Sequence, residues 1–324
     1  MTSPMLKRLE IFSPSLQHRC FASRQNLSES ILQRKPSDAG RLVKTLSGWG
    51  RGLDDDDDAA AQALVSQAHT LRLIRERTTI PVPTVFALDT TVDNEVGAPY
   101  MAMSYMPGST VASLWFDGSI PAARREERRL RILSQVVESM AQLRTLRFDR
   151  IGSLVPGPGG TTLVGPCFEW VHADTVPAPD SVRRGYCSVI SAAGGPFSTT
   201  EAYLEHNLTP TNYKSPHDLP TRLPDSYALA FPDFDSQNVL ADDDGNVVGF
   251  IDWDLAKTMP CFVGYACCPG WITRDWDPLM YRAHYSAEMA RILGQSGSDD
   301  WKYTAKSHIY ESCGLPRWTG GDGC

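Results

Sequence analysis

One acidic hairpin constrains this chain more than any other feature. Residues 239–241 and 247–251 are short apolar runs, and Asp242, Asp243, Asp244, Gly245 and Asn246 lie between them. An Asp/Gly/Asn cluster between two apolar runs is a strong hairpin signal. A hairpin returns the chain to its starting point. Asn238 and Asp252 lie six and eight residues from Asp244, so both fall near the open end, with Asp233 just upstream. One amide oxygen and one carboxylate therefore converge there. Hard oxygen donors of this kind suit Mg2+, which takes one or two protein carboxylates and completes its shell with water and phosphate oxygens. A separate carboxylate beside such a metal can orient a hydroxyl and accept its proton.

Composition narrows the remaining classes. The chain has 324 residues, 42% hydrophobic and 21% charged, which is ordinary for a globular protein large enough for two lobes. Its formal charge is −7, but residues 54–58 are five consecutive aspartates, and without them the chain is nearly balanced. That leaves a nucleic-acid surface without support. The eight cysteines form no C-x-x-C pair and the seven histidines show no metal spacing, so free thiols in a reducing compartment are expected. No apolar run is long enough to span a bilayer. The first 28 residues are somewhat basic and contain serine, as transit peptides do, but the cytosol is the expected compartment, with the mitochondrion as a minor alternative.

Along the chain the pattern predicts a strand at 41–46, a helix at 59–77, two strands of a hairpin at 84–91 and 98–105, and a connector at 106–108. The longest helix is expected at 121–146, with Leu130, Leu133, Val137, Met140 and Leu143 at helical spacing. The arginines in its first half alternate with Glu126 and Glu127 and are expected on a solvated face. Residues 156–220 are rich in Gly, Pro, Ser and Thr, with a short helix near 199–208. Helices at 278–294 and near 301–311 close the chain. In the first helix Leu64, Gln67, Leu71 and Ile74 share a face, which places a polar residue on an apolar stripe. Trp271, Trp276 and Trp301 are expected in the core. Asp235 and Asp254 are expected in surface or capping roles, with a supporting or substrate-facing place at the site as the alternative.

Several segments in order resemble the fungal-type aminoglycoside phosphotransferase-like family of the protein-kinase-like fold. They are IRERTTIPVP (74–83), APYMAM (98–103) with MPG (106–108), FDRIGSL (148–154), PDFDSQN (232–238), IDWD (251–254), GWITRDWD (270–277) and TAKSHI (304–309), and the resemblance covers about residues 40–312. It implies an α+β, two-lobed fold: a small β-rich N-lobe over residues 1–105 that binds nucleotide, and a larger, mainly helical C-lobe over 106–324 with the catalytic loop and substrate side. The implied activity is ATP- and Mg2+-dependent transfer of the γ-phosphoryl group to the hydroxyl of a small molecule, with no nucleic-acid or membrane partner and no oligomeric state specified.

The roles carry over residue by residue. Asp233 matches the catalytic-loop Asp that accepts or orients the substrate hydroxyl proton, and Asn238 and Asp252 match the metal ligands. Lys44 matches the strand lysine on the α/β-phosphates. Ser104, Tyr105 and Met106 match the inter-lobe connector whose backbone binds adenine. Four departures stand beside these matches. Phe231 replaces the usual His, and Gln67 replaces the Glu that pairs with the lysine. No glycine precedes Gly40, so a Gly-rich phosphate loop is missing or replaced, with room for it only at 21–30. Residues 209–230 are short for the family's substrate-side insertion. An impaired pseudokinase, used as a binding scaffold, is the alternative these departures raise.

Overall fold

A computed structural model describes residues 41–45, 58–91, 93–94, 99–172, 188–207, 227–273 and 278–306. Residues 21–30, 54–57 and 209–226, and Trp276, lie outside them, so the expectations made there have no structural counterpart. Strand β1 (Arg41–Thr45) is followed by helix α1 (Asp58–Arg77), then β2 (Val85–Asp89) and β3 (Tyr100–Ser104). These strands make an antiparallel sheet in the order β1-β3-β2, with Lys44 opposite Met101. Leu64, Gln67, Ala68, Leu71 and Ile74 of α1 are all buried. The apolar members of that set pack with Met101 and Met103 of β3 in the main core, so the stripe read from the sequence is the buried face.

Tyr105 to Gly108 lead to β4 (Ser109–Thr110), α2 (Val111–Trp115) and the longest helix, α3 (Ala122–Leu143). Pro121, whose fixed φ suits a helix entry, stands immediately before α3. The α3 stripe is centred slightly differently from the expected one. Ile132, Leu133, Val136, Val137, Met140 and Leu143 are 1% exposed or less, while Leu130 sits at the edge. Burying each such side chain contributes about 1.5–3 kcal/mol, against helix-propensity differences of about 0.7 kcal/mol or less. Tertiary packing, not propensity, therefore holds α3.

The middle of the chain departs from the sequence reading. Within the Gly/Pro/Ser/Thr-rich stretch and just before it lie β5 (Arg147–Phe148), β6 (Leu154–Pro156), β7 (Thr162–Val164), β8 (Phe168–His172) and β9 (Ser188–Ala192). β6 pairs with β7 and β8 with β9, both antiparallel, and α1 packs against β6 and β9. Helix α4 (Thr200–Asn207) and strands β10 (Tyr227–Ala230), β11 (Val239–Ala241), β12 (Val247–Phe250) and β13 (Lys257–Pro260) follow, then helices α5 (Pro278–Gln295) and α6 (Trp301–Thr304). β10 lies between β13 and β5, and β11 lies between β12 and β4. The fold is thus α+β, strand-rich at the start and carrying its long helices α3 and α5 in the C-terminal part, where the two pack together.

Two other expectations need correction. Arg128 and Arg129 are not on a solvated face: the Arg128 side chain is 6% exposed and that of Arg129 16%. Trp301 is partly exposed at 39%, whereas Trp271 is buried as expected. The cysteines among the described residues, Cys167, Cys261, Cys267 and Cys268, are free thiols. No helix among those residues is long and apolar enough to cross a membrane.

Candidate active site

The hairpin predicted from the sequence is β11 and β12, joined antiparallel with Val239 opposite Phe250. Within the turn the Asp242 side chain is the main acceptor. Asp242 Oδ1 accepts the N–H groups of Asp244 (3.1 Å) and Asn246 (2.8 Å), and Oδ2 accepts Asn246 Nδ2 (2.8 Å). These hydrogen bonds, that from the Asn246 side chain foremost, hold the Asp242 carboxyl below its usual range. Gly245 has φ +86°, and a Cβ there would lie 2.7 Å from Arg128 Cγ and 3.0 Å from Arg128 O. The turn needs glycine both for its backbone and for the close approach of α3.

Helix α3 grips the same turn from outside. Gln135 Oε1 accepts Val247 N–H at 2.8 Å, and Gln135 Nε2 donates to Asn246 Oδ1 at 3.4 Å. Arg128 donates to Leu114 O (2.7 Å), Asp117 Oδ2 (3.0 Å) and Asp243 O (3.4 Å). Asp117 is held at about 2, first by hydrogen bonds from Ser119 and then by Arg128. Sequence reasoning missed this clamp. The available signal was spacing: Arg128, Ile132, Val136 and Met140 form one i, i+4 row, so Arg128 extends the buried stripe by a turn.

At the open end, Asn238 is 6% exposed. Its Nδ2 donates to Asp233 at both the main-chain oxygen and Oδ2, 3.0 Å each. Only the amide nitrogen can donate to a carboxylate, so this contact fixes the orientation of the amide and turns Oδ1 away from Asp233. Across the hairpin, Ile251 N–H donates to Asn238 O at 2.9 Å, which brings Asp252 one residue beyond the pair. Asp252 has φ +61°, left-handed backbone that Asp tolerates better than most residues. Asp235 behaves as a turn cap: its Oδ1 accepts Ser236 Oγ (3.0 Å) and Gln237 N–H (3.3 Å).

Phe231 fills the floor. It is 7% exposed, and its ring lies 4.6 Å from Trp253 and 5.7 Å from both Phe234 and Phe250, centroid to centroid. Trp253 is buried and donates from Nε1 to Phe250 O at 3.1 Å. Packing of Phe231 thus supports the segment that leads into Asp233, at the position where the resembled family usually carries histidine.

The connector lies on the hairpin. A Cβ on Gly249 would sit 3.1 Å from Met106 Cε, and one on Gly108 (φ +109°) would meet Val248 Cγ2 at 2.7 Å and Ala241 O at 2.8 Å. Tyr105 continues from β3 into this stretch. Ser104 is committed to the sheet: its N–H donates to Thr84 O (2.8 Å) and its Oγ accepts Thr84 N–H (2.9 Å). Lys44 is placed by its backbone in β1, and its side chain lies outside the described structure. Gln67 Nε2 donates to Asp254 Oδ1, a contact the sequence reading did not foresee.

The structure therefore joins Asp233 to Asn238 by hydrogen bonds and sets Asp252 one residue beyond Ile251, the partner of Asn238 across the hairpin, while Met106 lies against Gly249 and Gln67 meets Asp254. Among the described residues, no group of three or more His, Cys, Asp or Glu side chains is placed to hold a metal ion. The side chains of Asn238 and Asp252 carry an amide oxygen and a carboxylate, the donor types that Mg2+ takes.

No protein-family profile matches the chain. Among curated proteins, it is 27% identical over 121 residues to altered inheritance of mitochondria protein 9, mitochondrial, of Candida tropicalis, a match covering 35% of this chain and 20% of that protein. It is 32% identical over 89 residues to a subtelomeric hrmA-associated cluster protein of Aspergillus fumigatus, covering 28% and 16% respectively. The matches span a fifth or less of these relatives' length. Among solved structures, aminoglycoside phosphotransferase APH(4)-Ia overlaps 78% of this chain and 73% of its own at 14% identity, with a TM-score of 0.39. The GDP complex of aminoglycoside 2'-phosphotransferase-IIIa overlaps 90% and 99% at 12% identity, with a TM-score of 0.38. Both of these solved structures are aminoglycoside phosphotransferases.

Proposed function

We propose that the chain is an ATP- and Mg2+-dependent phosphotransferase that moves the γ-phosphoryl group to a hydroxyl of a small molecule. The observation that carries this reading is at Asn238, whose side-chain amide nitrogen donates to Asp233 and whose main-chain oxygen accepts Ile251 N–H, one residue before Asp252. One residue thereby ties a proton-accepting carboxylate to the segment bearing Asp252.

In this reading Asp233 is the catalytic base. It orients the acceptor hydroxyl and takes its proton as the oxygen attacks the γ-phosphorus, while the bond to the β-phosphate oxygen breaks and ADP leaves. Asn238 Oδ1 and the Asp252 carboxylate would hold the metal, which would neutralise charge on the phosphate oxygens. Lys44 contacts the α/β-phosphates. Because the Ser104 N–H is committed to Thr84, adenine recognition falls mainly to the backbone at Tyr105 and Met106. Residues 1–105 serve nucleotide binding, and 106–324 supply the catalytic loop and the acceptor side. Positioning and charge neutralisation carry the reaction, without a covalent enzyme intermediate. The cytosol is the proposed compartment, and cell fractionation decides it against the mitochondrion.

The test is nucleotide binding followed by turnover. Mg2+-ATP at about 100 times its Kd stabilises the folded chain by about 2.7 kcal/mol, which raises Tm by several degrees. Asp233→Asn keeps that shift but abolishes phosphoryl transfer in a screen of hydroxylated metabolites. The absence of any shift with every nucleotide and metal tried sinks the proposal and leaves a kinase-like scaffold.

A further inference from the structure

The replacement of Glu by Gln at position 67 looks like erosion when the strand lysine is taken as its partner. The geometry points to a different role: Gln67 is a positioning residue for Asp252, acting through Asp254. This inference rests on the phosphotransferase reading for its functional half.

Three observations carry it. First, Gln67 is 5% exposed on a helix fixed by its buried neighbours Leu64, Ala68, Leu71 and Ile74, so its reach is set by core packing. Second, its Nε2 donates to Asp254 Oδ1. An ionised carboxylate accepts hydrogen bonds and donates none, so an amide at 67 can hold Asp254 where an ionised Glu would repel it. The residue is suited to the partner it has. Third, Asp254 stands between two non-glycine residues with left-handed backbone, Asp252 (φ +61°) and Leu255 (φ +57°). Such conformations persist where the surroundings over-determine them, and they cluster at functional sites. The Trp253 ring, with its bond to Phe250 O, anchors this segment from the floor. The Gln67 amide anchors it from α1.

The pair therefore couples α1 to the segment bearing the proposed metal ligand. A carboxylate is present at this junction, but it comes from the metal-side segment rather than from the helix. Moving α1 moves Asp254, and with it the aim of Asp252.

The test is a double-mutant cycle on the full chain: wild type, Gln67→Glu, Asp254→Asn and both together. Melting temperature is measured without ligand, and ATP affinity with and without Mg2+. Gln67→Glu lowers Tm by several degrees. It also weakens Mg2+-ATP binding about tenfold, the scale seen when a residue supporting a metal ligand is lost. Metal-free ATP affinity changes little, a selectivity that a merely structural role would not produce. Asp254→Asn alone is mild, because two amides still pair. The double variant restores both readouts, since Glu and Asn form the same bond with donor and acceptor exchanged. A Gln67→Glu chain as stable as wild type, or a double variant no better than Gln67→Glu, overturns the inference. A wild-type chain that binds no nucleotide overturns the phosphotransferase reading and the positioning role with it. The ligand-free melting cycle decides the Gln67–Asp254 pair by itself, so the two failures are told apart.

Discussion

Replacing Arg128 by Met tests whether α3 holds the hairpin, and the outcome turns on opposing terms of similar size. Methionine keeps the unbranched stem, so packing against Gly245 is largely preserved. What is lost is the guanidinium, with its bonds to Leu114 O at 2.7 Å, Asp117 Oδ2 at 3.0 Å and Asp243 O at 3.4 Å. A hydrogen bond from a charged group is worth about 1.5–3 kcal/mol, and an acceptor left buried and unsatisfied costs about 1–3 kcal/mol. Against this, Met removes the desolvation cost of a buried charge, and Arg128 Nε has no hydrogen-bond partner among the described residues. The Asp117 end is screened by solvent and is left out of the sum. The net expectation is a loss of about 2–4 kcal/mol, because the charge-assisted bonds to Leu114 O and Asp243 O are both removed, although Leu114 O keeps the backbone N–H groups of Phe116 and Asp117. With an unfolding entropy of about 2.1 cal/mol/K per residue, a chain of this length loses roughly 3–6 °C of Tm. Calorimetry of the ligand-free chain reads the shift. A Tm within a degree of wild type would show that desolvation cancels the clamp, and the argument that α3 fixes the hairpin would fall.

Two further outcomes follow from the site's surroundings. Phe231→His exchanges three aromatic neighbours, worth about 0.5–1.5 kcal/mol each, for a smaller polar ring, and lowers Tm by about 3–5 °C. An unchanged Tm there would mean that a hydrogen-bond partner already awaits the imidazole. Burial, reinforced by the Asp300 carboxylate, pushes the Cys261 thiol up to about 12 from a usual value of 9.0. The folded state therefore keeps its proton where the unfolded chain releases it, so this stability is complete below pH 9 and is lost as pH rises toward 12. Iodoacetamide at pH 8 should leave Cys261 unmodified in the folded chain and alkylate it after denaturation, as peptide mapping would show. Rapid labelling of the folded chain would contradict the burial.

The sequence by itself determined the local elements and the acidic hairpin. Asp-Gly-Asn chemistry specifies a turn through contacts within five residues, and the Asp242 carboxylate makes them. The buried face of α1 is legible for the same reason, since a 3.6-residue period is a local property. Strands β5 to β9 were not legible. β5 pairs with β10 some eighty residues on, and β5, β6 and β7, of two or three residues each, carry too little pattern to read as strands, while the five-residue β8 and β9 are set in a stretch whose Gly, Pro, Ser and Thr content reads as loop. The site divides along the same line. Asp233, Asn238 and Asp252 fall together because one turn gathers them. The tertiary structure alone decided that Gln67 meets Asp254, 187 positions away, and which acceptors Arg128 reaches. Each depends on which distant acceptor lies within reach of a buried donor, and that is set when helices and hairpin pack.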